Sequence, residues 1–406
     1  MRKHLRLRYL ILIGVTVLIL GLAGYSWFAL SRPFATVKTT PVYAASALNS
    51  QTPALAWPSY GQTAFSLNDG AVQLSQGSTQ PQPTASVAKI MTALSVLDKQ
   101  PLSGDQTGPT LTLTAADVAI YNSYVAKDGS VAYVKAGEQI SERQALTTML
   151  LPSANNMADT LAIWAFGSMD NYVQYANQKA ATLGLTNSHF ADASGFSPAT
   201  TSTAVDLVKL GETALKNSVL ADIVSQRLAS VPVAGTIYNT NYLLGHNGIF
   251  GLKTGNTDQA GGCYLFAAHV TAAGTDQTVT VVGAIMGAPN LNATIDDSVP
   301  LLNSIGASLS QTEIIKAGDA VAKYTAPWGQ TLTATASSTV SLLRWNGETL
   351  QPKLSLQTID ASTDASGKIG QISATNGFGS SQTDVVLNGR FSKPSVWWRL
   401  LHPANK

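Results

Sequence analysis

An unbroken apolar run opens the chain. The 22 residues from Tyr9 to Leu30 contain no Asp, Glu, Lys or Arg, and about 20 such residues suffice for a helix to cross a bilayer. Arg2, Lys3, Arg6 and Arg8 precede the run, and Arg32 and Lys38 follow it. That asymmetry places the N-terminus inside and the rest of the chain outside. Residues 1–30 therefore read as a transmembrane anchor or a signal segment. Ala45-Ser46-Ala47 has the small-x-small form of a signal peptidase site, although it lies well past the apolar run.

After a Thr-, Ala-, Pro- and Ser-rich linker at 31–57, the rhythm alternates. Ala64–Leu67 and Ala71–Leu74 flank Asn68-Asp69-Gly70, a hairpin signal. From Ser86 the spacing becomes helical: Val87, Ile90, Met91, Leu94 and Leu97 share one face, with Thr84 or Ala85 near the cap. Glu142–Phe166 is a second helical region, broken at Pro152; Asn171–Leu183, stopped by Gly184, and Ala204–Leu220 are two more. Near Gly248 the pattern turns to strands over Gly251–Gly255, Cys263–Thr271 and Thr278–Gly287, whose short connections demand antiparallel pairing. Helices framed by strands give an α+β catalytic domain at 58–306. Strand-like composition continues through a small all-β domain at 307–390, a structural or positioning module. The tail, 391–406, carries Trp397-Trp398-Arg399-Leu400-Leu401, suited either to a membrane interface or to packing on the β-domain.

Charge narrows the partners. A net charge of +2, with 12% charged residues, offers no dense basic face for nucleic acid. Cys263 is the only cysteine, which excludes an intrachain disulfide and a cysteine-based metal site; its apolar neighbours place it in a buried strand. His4, His189, His246, His269 and His402 form no His-x-x-x-His pair, and His189 and His269 read as ordinary loop and strand residues. Ser194 in Ala193-Ser194-Gly195 lacks the Gly-x-Ser-x-Gly elbow of histidine-based hydrolases. Nothing calls for a metal or a cofactor.

Three short motifs carry chemistry: Ser86-Val87-Ala88-Lys89, Ser153-Ala154-Asn155 and Lys253-Thr254-Gly255. Residues i and i+3 of a helix share a face, so Lys89 can touch Ser86 and take its proton. To act as base, Lys89 must be neutral, and bringing its pKa from about 10.4 to near 7 requires roughly 4 kcal/mol. Burial and a second cation, Lys253, both act in that direction. Alternate residues Ser153 and Asn155 can face one cleft, the hydroxyl to relay a proton and the carboxamide to orient Lys89 and a substrate amide. Lys253 and Thr254 suit a substrate carboxylate. Gly255 admits an extended substrate to the strand edge, and the N–H groups of Ser86 and Asn256 can form an oxyanion hole. Each motif is weak alone; their order and spacing make one site.

The chain resembles the penicillin-interacting serine D-alanyl-D-alanine carboxypeptidases, the low-molecular-mass penicillin-binding proteins. The likeness extends through Thr84–Ala93, Leu150–Asn156, Leu183–Phe190 and Gly251–Thr257 to Lys316-Ala317-Gly318-Asp319 and Pro327-Trp328-Gly329. It implies the penicillin-binding transpeptidase-like fold, nucleophile Ser86, general base Lys89, proton relay Ser153, orienting Asn155, and substrate-carboxylate binding by Lys253 and Thr254. The implied substrate is a peptidoglycan stem peptide ending in D-Ala-D-Ala, and the implied inhibitors are β-lactam antibiotics. The implied location is the outer face of the cytoplasmic membrane or the cell wall. Two positions depart from the family pattern: Ala154, where Gly is frequent, and Asn156, where Asp is frequent. Alternatives are a D,D-endopeptidase that cuts cross-links, and a penicillin- or cell-wall-binding protein without turnover. A serine β-lactamase fits less well, because no glutamate falls between Ser153 and Glu212.

Overall fold

The computed structural model describes residues 2–34, 36–43, 54–360 and 367–403. The chain divides into two compact units, Gln51–Ser310 and a second formed by Met1–Ser50 together with Gln311–Lys406. The Ala45-Ser46-Ala47 motif lies outside the described residues.

The first unit is built on a five-stranded antiparallel sheet. Its strands in chain order are β1 (Gln62–Leu67), β2 (Val72–Gly77), β3 (Ile249–Thr257), β4 (Gly261–Thr271) and β5 (Thr278–Ala288). They lie in the order β3-β4-β5-β1-β2, so β3 is an edge strand. Neighbours are antiparallel throughout, with Leu265 opposite Ala284 and Ala284 opposite Ala64. Because side chains alternate across a strand, β4 and β5 present Leu265 and Val282 to one face and Phe266 and Val270 to the other. Helix Ala204–Lys216 covers the first face, where Gly211 lets it approach: a Cβ there would lie 2.8 Å from Val282 and 3.0 Å from Leu265. Helix Leu291–Ala307 covers the second, with Gly306 against Val270. Cys263 is fully buried in the core on the Leu265 side, and burial pushes its thiol up to about 12.

The helical cluster stands beside β3. The predicted helix at Ser86 begins as a 3₁₀ turn, Ala85–Ala88, and continues as helix Lys89–Lys99, whose residues through Leu97 are buried. The predicted helical region Glu142–Phe166 is two helices, Glu142–Leu150 and Asn155–Phe166, with Ser153 between them. Ala204–Leu220 also divides, because Asn217 ends one helix and caps the next, Ser218–Ser225, by accepting from the N–H groups of Val219 and Leu220.

The second unit contains a six-stranded sheet whose order is Lys38–Pro41, Ala320–Thr325, Thr331–Ala336, Gly379–Leu387, Lys368–Asn376, Lys353–Leu356. A separate pair joins Leu309–Ile315 to Val340–Trp345. Its core gathers Val37, Ile315, Val321, Tyr324, Leu342, Ile372 and Val385. The linker expected at 31–57 is thus corrected over part of its length. Lys38–Pro41 is a strand paired with Ala320–Thr325, and Val37 is 5% exposed. Its alternation is too short to register as a strand in sequence; the partner strand supplies the order.

Candidate active site

Ser86 projects from the 3₁₀ turn, and Lys89, one turn on, donates to its Oγ at 2.7 Å. The Lys89 ammonium also donates to Asn155 Oδ1 at 2.7 Å and to the Ser194 carbonyl at 2.8 Å, so all three of its donors are used. Lys89 is fully buried. Burial lowers its pKa to about 7, against the opposing pull of the Asp192 and Asp159 carboxylates. Burial alone therefore accounts for the lowering at Lys89, whereas the second-cation effect falls on Lys253. That lysine is held well below its ordinary value by burial first and by repulsion from Lys89 second.

Two non-glycine residues in the left-handed region hold the hydroxyls in place. Ala85, at φ +46°, turns the chain into Ser86, and Ser153, at φ +65°, sits in the break between two helices. Such conformations cost of order 1–3 kcal/mol and persist where surrounding structure enforces them. The enforcing contacts at Ala85 are visible. A Cβ on Gly255 would lie 2.8 Å from the Ser86 nitrogen and 3.0 Å from the Ala85 Cβ, and one on Gly195 would lie 1.9 Å from the Ala85 carbonyl oxygen. Gly255, expected to admit substrate to the strand edge, serves here to let β3 pack on the turn that carries the Ser86 hydroxyl.

The remaining expected residues arrive from separate elements. Asn155 begins its helix and donates its backbone N–H to the Ser130 carbonyl at 2.8 Å. Lys253 is buried on β3, its ammonium donating to the Thr254 carbonyl at 3.0 Å. Thr254 shares a 2.6 Å hydrogen bond with the Thr240 hydroxyl. The open cleft, about 510 Å³, is lined by Ser86, Asn155 and Asn256 together with Lys127, Gly129 and Phe196. Lys89, Ser153, Lys253, Thr254 and Gly255 are not among its lining residues, which sets the buried lysines behind the cleft wall. A cavity of about 600 Å³ opens elsewhere, around His269 and Leu302; His269 is stacked on Phe250 there, with no serine–lysine pair.

Sequence reasoning missed a polar layer behind Lys89. The Ser194 hydroxyl donates to Asp192 at 2.7 Å and lies 3.2 Å from the Tyr124 hydroxyl, which donates to Asp159 at 2.9 Å. Burial raises Asp159 to about 6. Tyr124 stands near the end of helix Ala115–Val125, whose weak amphipathic pattern gave no signal. The departure at Asn156 also has a reason: its carboxamide accepts from the Ala132 N–H at 3.1 Å and donates to the Ala132 carbonyl at 3.0 Å. An aspartate could make only the first of these bonds.

A serine–lysine couple on a helix start, beside an edge strand bearing a second buried lysine, is the apparatus of a serine acyl-transfer hydrolase. Residues 59–290 match the D-alanyl-D-alanine carboxypeptidase model of peptidase family S11. The chain is 30% identical over 300 residues to a D-alanyl-D-alanine carboxypeptidase of Streptomyces sp. strain K15, an alignment spanning 68% of this chain and 98% of that protein. It is 31% identical over 206 residues to a D-alanyl-D-alanine endopeptidase of Pseudomonas aeruginosa, covering 49% of this chain and 63% of the relative. Penicillin binding protein 5 from Haemophilus influenzae shares the fold, with a TM-score of 0.57, 18% identity, and coverage of 85% of this chain and 100% of that one. The chain belongs to the D-alanyl-D-alanine carboxypeptidase family.

Proposed function

We propose that this chain removes the terminal D-alanine from peptidoglycan stem peptides on the outer side of the cytoplasmic membrane, through an ester on Ser86. The observation that carries this reading is the Lys89–Ser86 hydrogen bond of 2.7 Å, made by a fully buried amine with a pKa near 7. Ser86 Oγ attacks the carbonyl carbon of the penultimate D-alanine while Lys89 takes the hydroxyl proton. The C–N bond breaks, and Ser153 passes a proton to the departing amine. Water then attacks the ester with Lys89 again as base, and Ser86 regains its proton. Asn155 holds Lys89 in line. The Ser86 and Asn256 N–H groups face the developing oxyanion. Lys253 and Thr254 receive the substrate carboxylate, whose negative charge favours the protonated form of Lys253 that burial disfavours. A β-lactam acylates Ser86 by the same attack, with its ring C–N bond as the one that breaks.

The test is D-alanine release from diacetyl-L-Lys-D-Ala-D-Ala by the full chain and by Ser86→Ala. Steady release by the wild type, with no release and no penicillin adduct for the variant, is the expected result. Well-folded wild type that forms the adduct but releases no D-alanine would overturn turnover on this substrate. The endopeptidase reading, favoured by the Pseudomonas relative's name, predicts instead cleavage of cross-linked dimers and sparing of the linear peptide.

The Asp159 carboxylate favours the protonated form of Lys89. Asp159→Asn should therefore move the acidic limb of the acylation–pH profile to lower pH. The other charged or titratable groups facing Lys89 (Asp192 and Lys253) remain in the variant, as does the Tyr124 hydroxyl bonded to Asp159. A uniform loss of rate with an unmoved limb would show that Asp159 only supports the fold.

A further inference from the structure

The hydroxyls of Thr240 and Thr254 lie 2.6 Å apart, and among the described residues each bonds only the other. Thr254 stands buried on the edge strand β3. Thr240 belongs to none of the three motifs. It follows the short strand pair Leu228–Val231 and Gly235–Tyr238, in a stretch with neither helix nor sheet of its own. Its backbone is nevertheless fixed. The Thr240 N–H donates to the Leu151 carbonyl at 3.1 Å, just ahead of the Ser153 break. Asn239 donates through Nδ2 to the Gln226 carbonyl at 3.0 Å and accepts at Oδ1 from the Asn241 N–H at 2.9 Å. Asn241, 3% exposed, accepts in turn from the Leu243 N–H at 3.2 Å. Asparagine turns of this kind order a loop through its own backbone. They hold Thr240 between the second and third motifs and leave its hydroxyl to serve Thr254.

Proton counting gives that contact a direction. Two hydroxyls have two protons, and the bond between them uses one. A carboxylate only accepts. If Thr254 donates to Thr240, it has no proton left for a carboxylate. If Thr240 donates, the Thr254 proton is free, and its O–H is polarised by the bond it accepts. No other described side chain sets this direction, because the Lys253 ammonium donates to the Thr254 carbonyl and not to its hydroxyl.

We propose that Thr240 is a positioning residue of the substrate-carboxylate site: its hydroxyl donates to Thr254 Oγ and so fixes Thr254 as a donor to the carboxylate that ends the peptide. This rests on the carboxylate role given to Lys253 and Thr254 above, and extends that site to a loop outside the motifs. It also gives Thr240 a part in selecting acids over neutral ends. A neutral carbonyl is the weaker acceptor, so the same alignment favours it less.

The test compares acylation of Ser86 in the full chain by benzylpenicillin and by its methyl ester, followed by intact mass. Thr240→Val keeps the side-chain shape and removes the proton. It should slow acylation by the acid about fivefold to tenfold and by the ester far less. That loss lies below the one expected for Thr254→Val, because the bond to the charged group is misdirected rather than removed. Thr240→Ser keeps the hydroxyl and should hold the wild-type ratio of the two rates. In a Thr254→Val background, Thr240→Val should slow neither compound further, since the residue acts through Thr254. Equal loss with acid and ester, a serine variant that behaves like the valine one, or a further loss in the Thr254→Val background would each overturn the proposal. A wild type that forms no adduct with either compound would instead overturn the Ser86 reading on which this role rests.

Discussion

Replacing Lys89 with methionine should slow acylation of Ser86 by a β-lactam at least about a thousandfold at pH 7.5, within the 10²–10⁴ range typical of a lost general base. The side chains are similar in length, so the buried volume stays filled while the proton acceptor is removed. The measurement is the second-order rate of adduct formation, followed by intact mass or a fluorescent penicillin. In the wild type the same rate should fall about tenfold for each pH unit below 7, because only the neutral amine accepts a proton and burial sets its pKa at about 7. Linkage supplies a second check. The folded-state pKa of Lys89 lies below its unfolded value, so the unfolded chain binds the extra proton between about pH 7 and 10.5 and stability rises with pH across that window. Lys253 acts in the same sense in both proteins. Wild type should therefore gain stability relative to Lys89→Met as pH rises from 7, and a flat difference would place the Lys89 pKa elsewhere.

Gly195→Ala, although outside the three motifs, should strongly slow acylation of Ser86. At φ +71° any Cβ is strained by about 1–2 kcal/mol, and this one would also lie 1.9 Å from the Ala85 carbonyl oxygen. Backbone has to move, and overpacking of that kind adds about 1–3 kcal/mol. The displaced residue immediately precedes Ser86, so a shift near 1 Å should lower acylation about a hundredfold. Gly184→Ala is the matched control: φ is +68°, but a Cβ there meets nothing within 4 Å. It should cost only the about 1–2 kcal/mol of strain and leave acylation intact. Equal loss of activity in both variants would remove the Gly195–Ala85 contact from the account.

Much of this was legible in the sequence because the signals were local. The helical spacing after Ser86 and the three strands after Gly248 fall close to their observed bounds, and the antiparallel pairing expected from short connections is what the sheet shows. The three motifs needed only order and spacing to point to one site. What escaped depends on contacts between distant segments. Gly255 and Gly195 acquire their purpose from the Ala85 turn, 170 and 110 residues away in the chain (255 − 85 and 195 − 85). Tyr124 and Asp159 look like any polar pair on a helix until the fold sets them behind Lys89. Helix Leu291–Ala307 was hidden by Pro300 in its interior, and Lys38–Pro41 by a shortness that only its partner strand redeems.

That pairing also dictates an order of assembly. Lys38 and its partner Thr325 are separated by 287 residues (325 − 38), with the whole catalytic unit between them. During synthesis and export the first strand emerges early and waits, while a unit rich in nearer contacts can fold before the partner strand exists. The β-sheet is then completed last, by closure of a very long loop whose one end is already fixed beside the N-terminal helix. A chain interrupted after Ser310 would carry every residue of the serine–lysine site but leave Lys38–Pro41 without the strand it was made to meet.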